Sequence, residues 1–290
     1  AIDDLMISAG VNAVRNGDLA VAPTLTAPYS AIEEHETERL GVHLLARWDR
    51  QYTEDENLMV QGYVDHRDNE VGTPEAQDAR TVVDFQTRYY RPVLSEGRVH
   101  VGGGVRVTKD SLDDPTLILS ISDDDETVYI LNAFVEGSWD FLDDRLTVTA
   151  GTKVEHHSIS GTELQPSFRL LARPAPNQTV WAAVSSATRT PSRVENDGTI
   201  RQSVIPPGSP QNPGPLPATI STVGTRALEA ERVIAYEIGH RARITPRLST
   251  DVAAFYNDYE DLALNGFFLG TSVNTDFGST FVQISNRINN

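Results

Sequence analysis

Few side chains in this sequence stand in a pattern that could carry chemistry. Two histidines are adjacent, His156 and His157, and a third, His35, sits in the acidic run EEHETE. Imidazole with carboxylate is a donor set for zinc or iron, but neighbouring residues on a strand point to opposite faces, so His156 and His157 do not converge on one ion. These histidines read as loop and rim polarity, and no metal site is expected. The run Asp123, Asp124, Asp125, Glu126 offers hard oxygen ligands for calcium, yet it lacks EF-hand spacing and reads as a solvated loop tip. Gly102, Gly103 and Gly104 precede Val105 and Arg106 with no Gly-Lys-Ser/Thr and no helix start. A phosphate cradle is therefore not expected, and the small residues more plainly allow a close approach of neighbouring backbone. Ser185 and Ser186 lie outside any G-x-S-x-G elbow. Arg189 and Arg193 place two guanidinium groups where a strand meets a long loop; they could attract an anionic ligand, although a salt bridge that fixes the rim is the plainer use. The sequence points away from catalysis, with no enzyme activity and no cofactor expected.

Composition narrows the class. The chain has 290 residues, with 24 Lys plus Arg against 41 Asp plus Glu and a formal charge of −17. Phosphate binding needs a basic surface, so a nucleic-acid partner is not expected. The absence of cysteine excludes a disulfide scaffold, a thiolate metal site and a cysteine nucleophile. No run of 18 or more apolar residues is present, as a membrane-spanning helix needs, and the start AIDDLMISAG lacks the basic and apolar regions of a signal peptide. A helical membrane protein is excluded. A membrane β-barrel is not, because its strands alternate and leave hydropathy near that of soluble proteins.

The elements that must position these residues read with period two. Leu146, Val148, Ala150, Thr152 and Val154 alternate with Thr147, Thr149, Gly151, Lys153 and Glu155. The same split recurs over 40–49, 99–107 and 248–257. Such alternation marks strands with two chemically different faces. About twelve strands are expected, near 3–14, 39–51, 58–68, 80–92, 98–108, 127–141, 145–157, 164–174, 178–188, 230–244, 247–260 and 279–287. Tight connections (52–57, 92–97, 142–144, 174–177, 245–246) alternate with mostly longer ones (15–38, 69–79, 109–126, 158–163, 189–229, 261–278). Up-and-down membrane barrels segregate short turns and long loops in this way, whereas a Greek-key sandwich has no reason to. The stretch 189–229 holds Pro191, Pro206, Pro207, Pro210, Pro213, Pro215 and Pro217, so it reads as a long irregular loop rather than more sheet.

The two faces differ in charge. The oily stripes of the better-defined strands carry no Asp, Glu or Lys, and a single Arg, Arg232, at a strand's end. The other faces carry Arg47, Arg88, Arg106, Lys153, Arg169, Arg173, Arg241 and Arg243 with Asp49, Asp84, Glu136, Asp140, Glu155, Glu231, Glu237 and Asp251. Charge on a lipid face costs roughly 2 to 4 kcal/mol at the midplane for Arg or Lys, and is harmless in a watery or plugged lumen. Trp48, Tyr129, Trp139 and Phe141 lie at stripe ends, where an interfacial aromatic girdle would put them. A soluble β protein would also bury an oily stripe, so a soluble, secreted β-rich adhesin stays open at this point, as does a passive porin or autotransporter-type barrel.

Three runs carry a more specific likeness: LTVTAGTKVEHHSISGTELQPSFRLL (146–171), TVWAAVSSATRTPSR (179–193) and LEAERVIAYEIGHRARITPRLSTDVAAFYNDYEDL (228–262). In their order they resemble the barrel of TonB-dependent outer-membrane receptors, and LLARWDRQYTEDENLMVQGYVDHRDN (44–69) resembles a strand pair from the siderophore or iron-complex receptors. The resemblance implies an all-β fold, an antiparallel up-and-down transmembrane β-barrel segment forming an open arc of a barrel of about 22 strands. Such receptors also carry a plug, a TonB-binding segment and a terminal aromatic strand; this sequence shows none, which implies a piece of barrel over 1–290. The implied function is TonB-powered uptake of a scarce solute, most readily a ferric siderophore or other iron complex, in the bacterial outer membrane. The implied partners are the receptor's own plug and through it TonB, outer-membrane lipid and lipopolysaccharide, and the iron chelate. Arg189 and Arg193 become candidate ligand contacts at the outer rim. Arg47, Asp84, Arg106, Lys153, Glu155, Arg169, Glu237, Arg241 and Asp251 become candidate plug-facing wall.

Overall fold

A computed structural model describes residues 1–70, 77–93, 96–113, 119–121, 125–226, 228–274 and 281–289, with side chains described except at 18, 20, 33, 35, 77, 113 and from 264 onward. Eleven strands form one antiparallel sheet: β1 (Ile2–Pro23), β2 (Ser30–Thr53), β3 (Glu56–Glu70), β4 (Gln77–Val93), β5 (Gly97–Asp113), β7 (Asp125–Phe141), β8 (Leu146–His157), β9 (Gly161–Ala175), β10 (Gln178–Arg189), β13 (Glu231–Thr245) and β14 (Leu248–Glu260). Each pairs with the next in that order, as an up-and-down meander requires. A second sheet of five strands takes β6 (Leu119–Ile121), β11 (Gly198–Ile205), β12 (Ala218–Val223), β15 (Leu264–Asn274) and β16 (Phe281–Asn289), with a single five-residue helix, α1 (Arg193–Asp197), leading into it.

Period-two patterning becomes geometry through the register. Leu44 lies opposite Val64, Val64 opposite Val83, Val83 opposite Val107 and Val107 opposite Tyr129, so one apolar row crosses five strands on a single face. A second row runs Phe168, Val184, Tyr236, Tyr256, its two tyrosine rings 6.2 Å apart. Among the described residues no layer covers these rows. Leu44 is 52% exposed, Val135 47%, Ile238 57% and Val252 65%. Buried apolar side chains among the described residues are limited to Ala22, Met59, Ala218, Leu228, Ala230 and Ala242, and three of those belong to the connection between β10 and β13. A sandwich would have packed the apolar faces together; here they stay open, which removes the soluble-sandwich reading. Along β7 the polar-face residues are the more covered ones, as on the concave side of a curved sheet.

The ends differ, though less cleanly than expected. Connections 54–55, 142–145, 176–177 and 246–247 are tight and lie at one end; the other end carries the long 190–230, but also 24–29 and 158–160, which are short because the flanking strands extend into the expected loops. Three departures have physical causes. First, β1 and β2 run far past the expected ends, pairing without a break from Ile2 with Gln51 to Pro23 with Ser30, so most of 15–38 is ladder rather than loop. Second, the proline-rich 189–229 is not irregular throughout: β11 and β12 pair within it, and the prolines of 206–217 occupy only the link between them. Third, the expected twelfth strand exists as β16 but belongs to the outer sheet, parallel to β12 and antiparallel to β15, leaving eleven strands in the wall.

Two glycines show why small residues are required where backbones and rings crowd. A Cβ on Gly102 would lie 2.5 Å from the Thr87 carbonyl and 2.6 Å from the Phe134 ring, whose edge also meets His100. A Cβ on Gly239 would fall 2.0 Å from the Trp181 indole, which lies across it from the neighbouring strand. Gly239→Val should therefore displace Trp181 and destabilise the sheet by about 1 to 3 kcal/mol, read as a lower yield of heat-modifiable, folded protein in detergent.

Candidate functional site: the polar wall and its outer rim

All nine polar-wall candidates lie on one face of the large sheet. Arg106 sits opposite Asp84, Arg241 opposite Asp251, and Lys153 and Glu155 alternate along β8 on the same side as Arg47, Arg169 and Glu237. Most are joined. Arg106 donates to Asp84 at 2.9 Å, Arg241 to Asp251 at 2.9 Å, Arg47 to Asp49 at 2.6 Å, and Lys153 pairs with Glu155. Sequence reading missed two further pairs on this face: Arg80 with Asp110, a two-pronged contact across β4 and β5, and Arg98 with Asp140 across β5 and β7. Asp84 and Asp110 are each only 6% exposed, so the facing guanidinium is what makes their burial tolerable. Arg169 and Glu237 share a cross-strand row with Ala183 between them and make no ion pair among the described residues. The face is thus nearly neutral, with a few charges left available to a second body.

At the outer rim the chain turns from wall to loop in a few residues. Pro191 ends the ladder after Arg189, because it has no N–H to donate. Ser192 then caps α1 in a capping box: its hydroxyl accepts from the Glu195 amide at 3.3 Å, and its own amide donates to the Glu195 carboxylate at 2.8 Å. Arg189 donates to Glu231 at 2.7 and 2.8 Å and to Glu195 at 3.0 and 3.0 Å. One guanidinium therefore ties β10, α1 and β13 together, and Glu231 also accepts from the Ala263 amide at 2.9 Å, bringing in the segment after β14. Arg193 lies 3.1 Å from Glu126 at the start of β7, its side chain 8% exposed. Both candidate ligand arginines are held by carboxylates of their own chain. The SxxE spacing of Ser192 and Glu195 was a readable signal for the cap; the Glu231 partner, 42 residues from Arg189, was not.

Hydrogen bonds from the Arg189 guanidinium, with further ones from Ser192, hold the Glu195 carboxyl down to about 2, from an ordinary 4.5. Because that carboxyl is more acidic in the folded rim, its contribution is complete above about pH 4.5 and is lost as pH falls toward 2. The connection 190–230 should resist limited proteolysis equally from pH 5 to 8 and become progressively more cleavable as pH falls from about 4.5 toward 2, and Glu195→Gln should be cleavable across the range.

The remaining candidates separate as geometry dictates. His156 and His157 point to opposite faces; His156 meets the Thr162 hydroxyl at 2.8 Å, and His157 accepts from the Ile159 amide at 3.2 Å. No metal-ligand group occurs among the described residues. Asp123, Asp124 and the His35 side chain lie outside the described residues. Trp48, Tyr129, Trp139 and Phe141 all lie on the apolar face, three toward the tight-turn end and Tyr129 toward the other.

An open antiparallel wall with an exposed apolar face and an ion-paired polar face is the wall of a β-barrel that meets two different media. The model of the family described as TonB dependent receptor-like, beta-barrel matches residues 13–289, and the chain belongs to that family. Among solved structures it is similar to a mutant of the ferric enterobactin receptor PfeA from Pseudomonas aeruginosa (15% identity, TM-score 0.71, covering 99% of this chain and 44% of that one). It is also similar to the FrpB iron transporter from Neisseria meningitidis (13%, TM-score 0.65, 99% and 45%). A third is the siderophore receptor PirA from Pseudomonas aeruginosa (15%, TM-score 0.60, 99% and 54%). The chain spans about half the length of these structures. No curated protein sequence matches it.

Proposed function

We propose that this chain forms part of the wall of a bacterial outer-membrane receptor that takes up a scarce solute, an iron chelate first among them, with energy delivered through TonB. The observation that carries the reading is the pairing of faces: a continuous apolar face left exposed, backed by a polar face whose charges neutralise one another. In this reading acyl chains cover the first face, which fixes the wall in the bilayer. The second encloses an aqueous bore, where Arg47, Asp84, Arg106, Lys153, Glu155, Arg169, Glu237, Arg241 and Asp251 meet a plug through many weak contacts. Paired charges suit that task, since a wall of one sign would grip a plug too firmly or repel it. No bond is made or broken. Arg189 and Arg193 serve capture by holding the outer connection in place rather than by gripping the ligand. The family membership and the iron-receptor neighbours support the iron chelate as cargo.

Two measurements test it. Cells that depend on the receptor carrying this chain should lose uptake of radioactive ferric chelate when TonB is removed; uptake that continues without TonB would instead indicate a passive pore. Leu131→Arg, on the apolar face, should cost about 2 to 4 kcal/mol of folding free energy in lipid vesicles, while Asn132→Arg, one residue along and facing the bore, should cost far less. Equal costs would remove the assignment of faces.

A further inference from the structure

At the tight-turn end the apolar face carries charge that the alternation did not lead one to expect: Arg50 and Asp3 lie on it, and so does Arg91 two strands away, opposite Val99. Arg50 lies opposite Asp3, and Trp48 opposite Leu5, so all four share the face of the apolar stripe, directly below the exposed Leu5 and Ile7. The Arg50 guanidinium carbon sits 6.0 Å from the centre of the Trp48 ring and 5.3 Å from that of Tyr52. That is cation–π range, so the group is oriented by two aromatic faces. It is not neutralised by hydrogen bonding. Among the described residues Arg50 makes no hydrogen bond, its Nε is buried without a partner, and the nearest Asp3 oxygen is 3.8 Å away. Arg47, on the opposite face of the same strand, spends two donors on Asp49. Asp3 uses one oxygen to accept from the Trp48 indole at 3.1 Å and remains about half exposed.

We propose that Arg50, Asp3, Trp48 and Tyr52 form a headgroup site for a phosphoethanolamine lipid of the leaflet at the tight-turn end. The proposal rests on the reading in which the apolar face meets acyl chains. A planar guanidinium with unspent donors is a ready fork for a phosphate. Beside it, the Asp3 carboxylate repels a purely anionic headgroup and accepts N–H bonds from a primary ammonium, which a quaternary choline cannot supply. Phosphate on Arg50 and ammonium on Asp3 match a zwitterion whose two charges are separated by a two-carbon link. The acyl chains then run along Leu5 and Ile7, and the two rings take the interfacial depth that aromatic residues favour.

The test uses the receptor carrying this chain, purified in detergent and offered phosphatidylethanolamine, phosphatidylglycerol or phosphatidylcholine, with retained lipid counted by native mass spectrometry. The wild type should retain phosphatidylethanolamine best. Arg50→Ala should lower that retention about fivefold, the loss expected of one interfacial arginine contact. Arg50→Lys, which keeps the charge but loses the fork, should fall between, and Asp3→Asn should raise phosphatidylglycerol relative to phosphatidylethanolamine. Equal retention of all three lipids by the wild type, or unchanged retention in both Arg50 variants, would overturn the site. Heat-modifiable migration and outer-membrane fractionation accompany each variant. A wild type found outside the membrane sinks the reading of the apolar face, whereas a membrane-resident receptor indifferent to Arg50 sinks the headgroup site alone.

Discussion

Everything in this structure depends on the antiparallel ladder of backbone hydrogen bonds, because almost nothing else holds the wall together. An ordinary domain of this size derives most of its stability from a shared apolar core. Here the described residues of the large sheet form no shared apolar core, and the side chains of its apolar face stay exposed. A single layer can keep its shape only if every inner strand has both its edges paired, which the unbroken order from β1 to β14 provides. That constraint matters most in a medium without water, where an unpaired amide or carbonyl costs several kcal/mol. The ladder comes first, and the side chains on either face then adapt the wall to the two media it separates.

This hierarchy explains which parts of the fold were legible in the sequence. Where strands meet two unlike media, selection by burial is replaced by selection by solvent, and alternation appears undiluted, as from Leu146 to Glu155. Beyond the lipid-matched stretch that selection lapses. Between 30 and 38 the strand β2 carries Glu33, Glu34, Glu36 and Glu38, acidic on both parities, so period two disappears although the backbone pairing with β1 continues to Pro23 and Ser30. The expected strand ends therefore marked the end of the alternating band and not the end of the ladder. The outer sheet was hidden for a different reason. Its strands, GTIRQSVI and ATISTV, are rich in β-branched residues, but the intervening prolines dominate the composition of the segment. Its parallel pairing of β12 with β16 joins residues more than 60 apart, which no local pattern reports.

The candidate site was legible to the same degree. Membership of the polar face follows from parity alone, so the alternation by itself puts the nine wall residues on one side. Which of them pair could not be read, because pairing depends on register. Arg106 finds Asp84 since β4 and β5 place them opposite, and Arg47 turns along its own strand to Asp49 since its cross-strand neighbours Met6 and Gln61 offer no charge. At the rim, Arg189 serves two carboxylates from different elements, a geometry set by where β13 returns beside β10.

The rim also shows how a barrel wall can carry an ordered outer structure without a core of its own. The connection from β10 to β13 begins within a few residues of the wall, fixed on one side by Arg189 with Glu195 and Glu231 and on the other by Arg193 with Glu126. Two anchors to different strands, β10 and β7, restrain orientation as well as position, which one anchor cannot. From that base β11 extends far enough to contact β1, at the opposite end of the strand order. A connection tethered at its root beside β10 therefore also meets the first strand of the wall. Its orientation is set by the charge pairs at its root, while its interior is held by the β11–β12 ladder and by the buried Ala218, Leu228 and Ala230, so loosening the pairs should free the outer structure from the wall while leaving the wall's ladder intact.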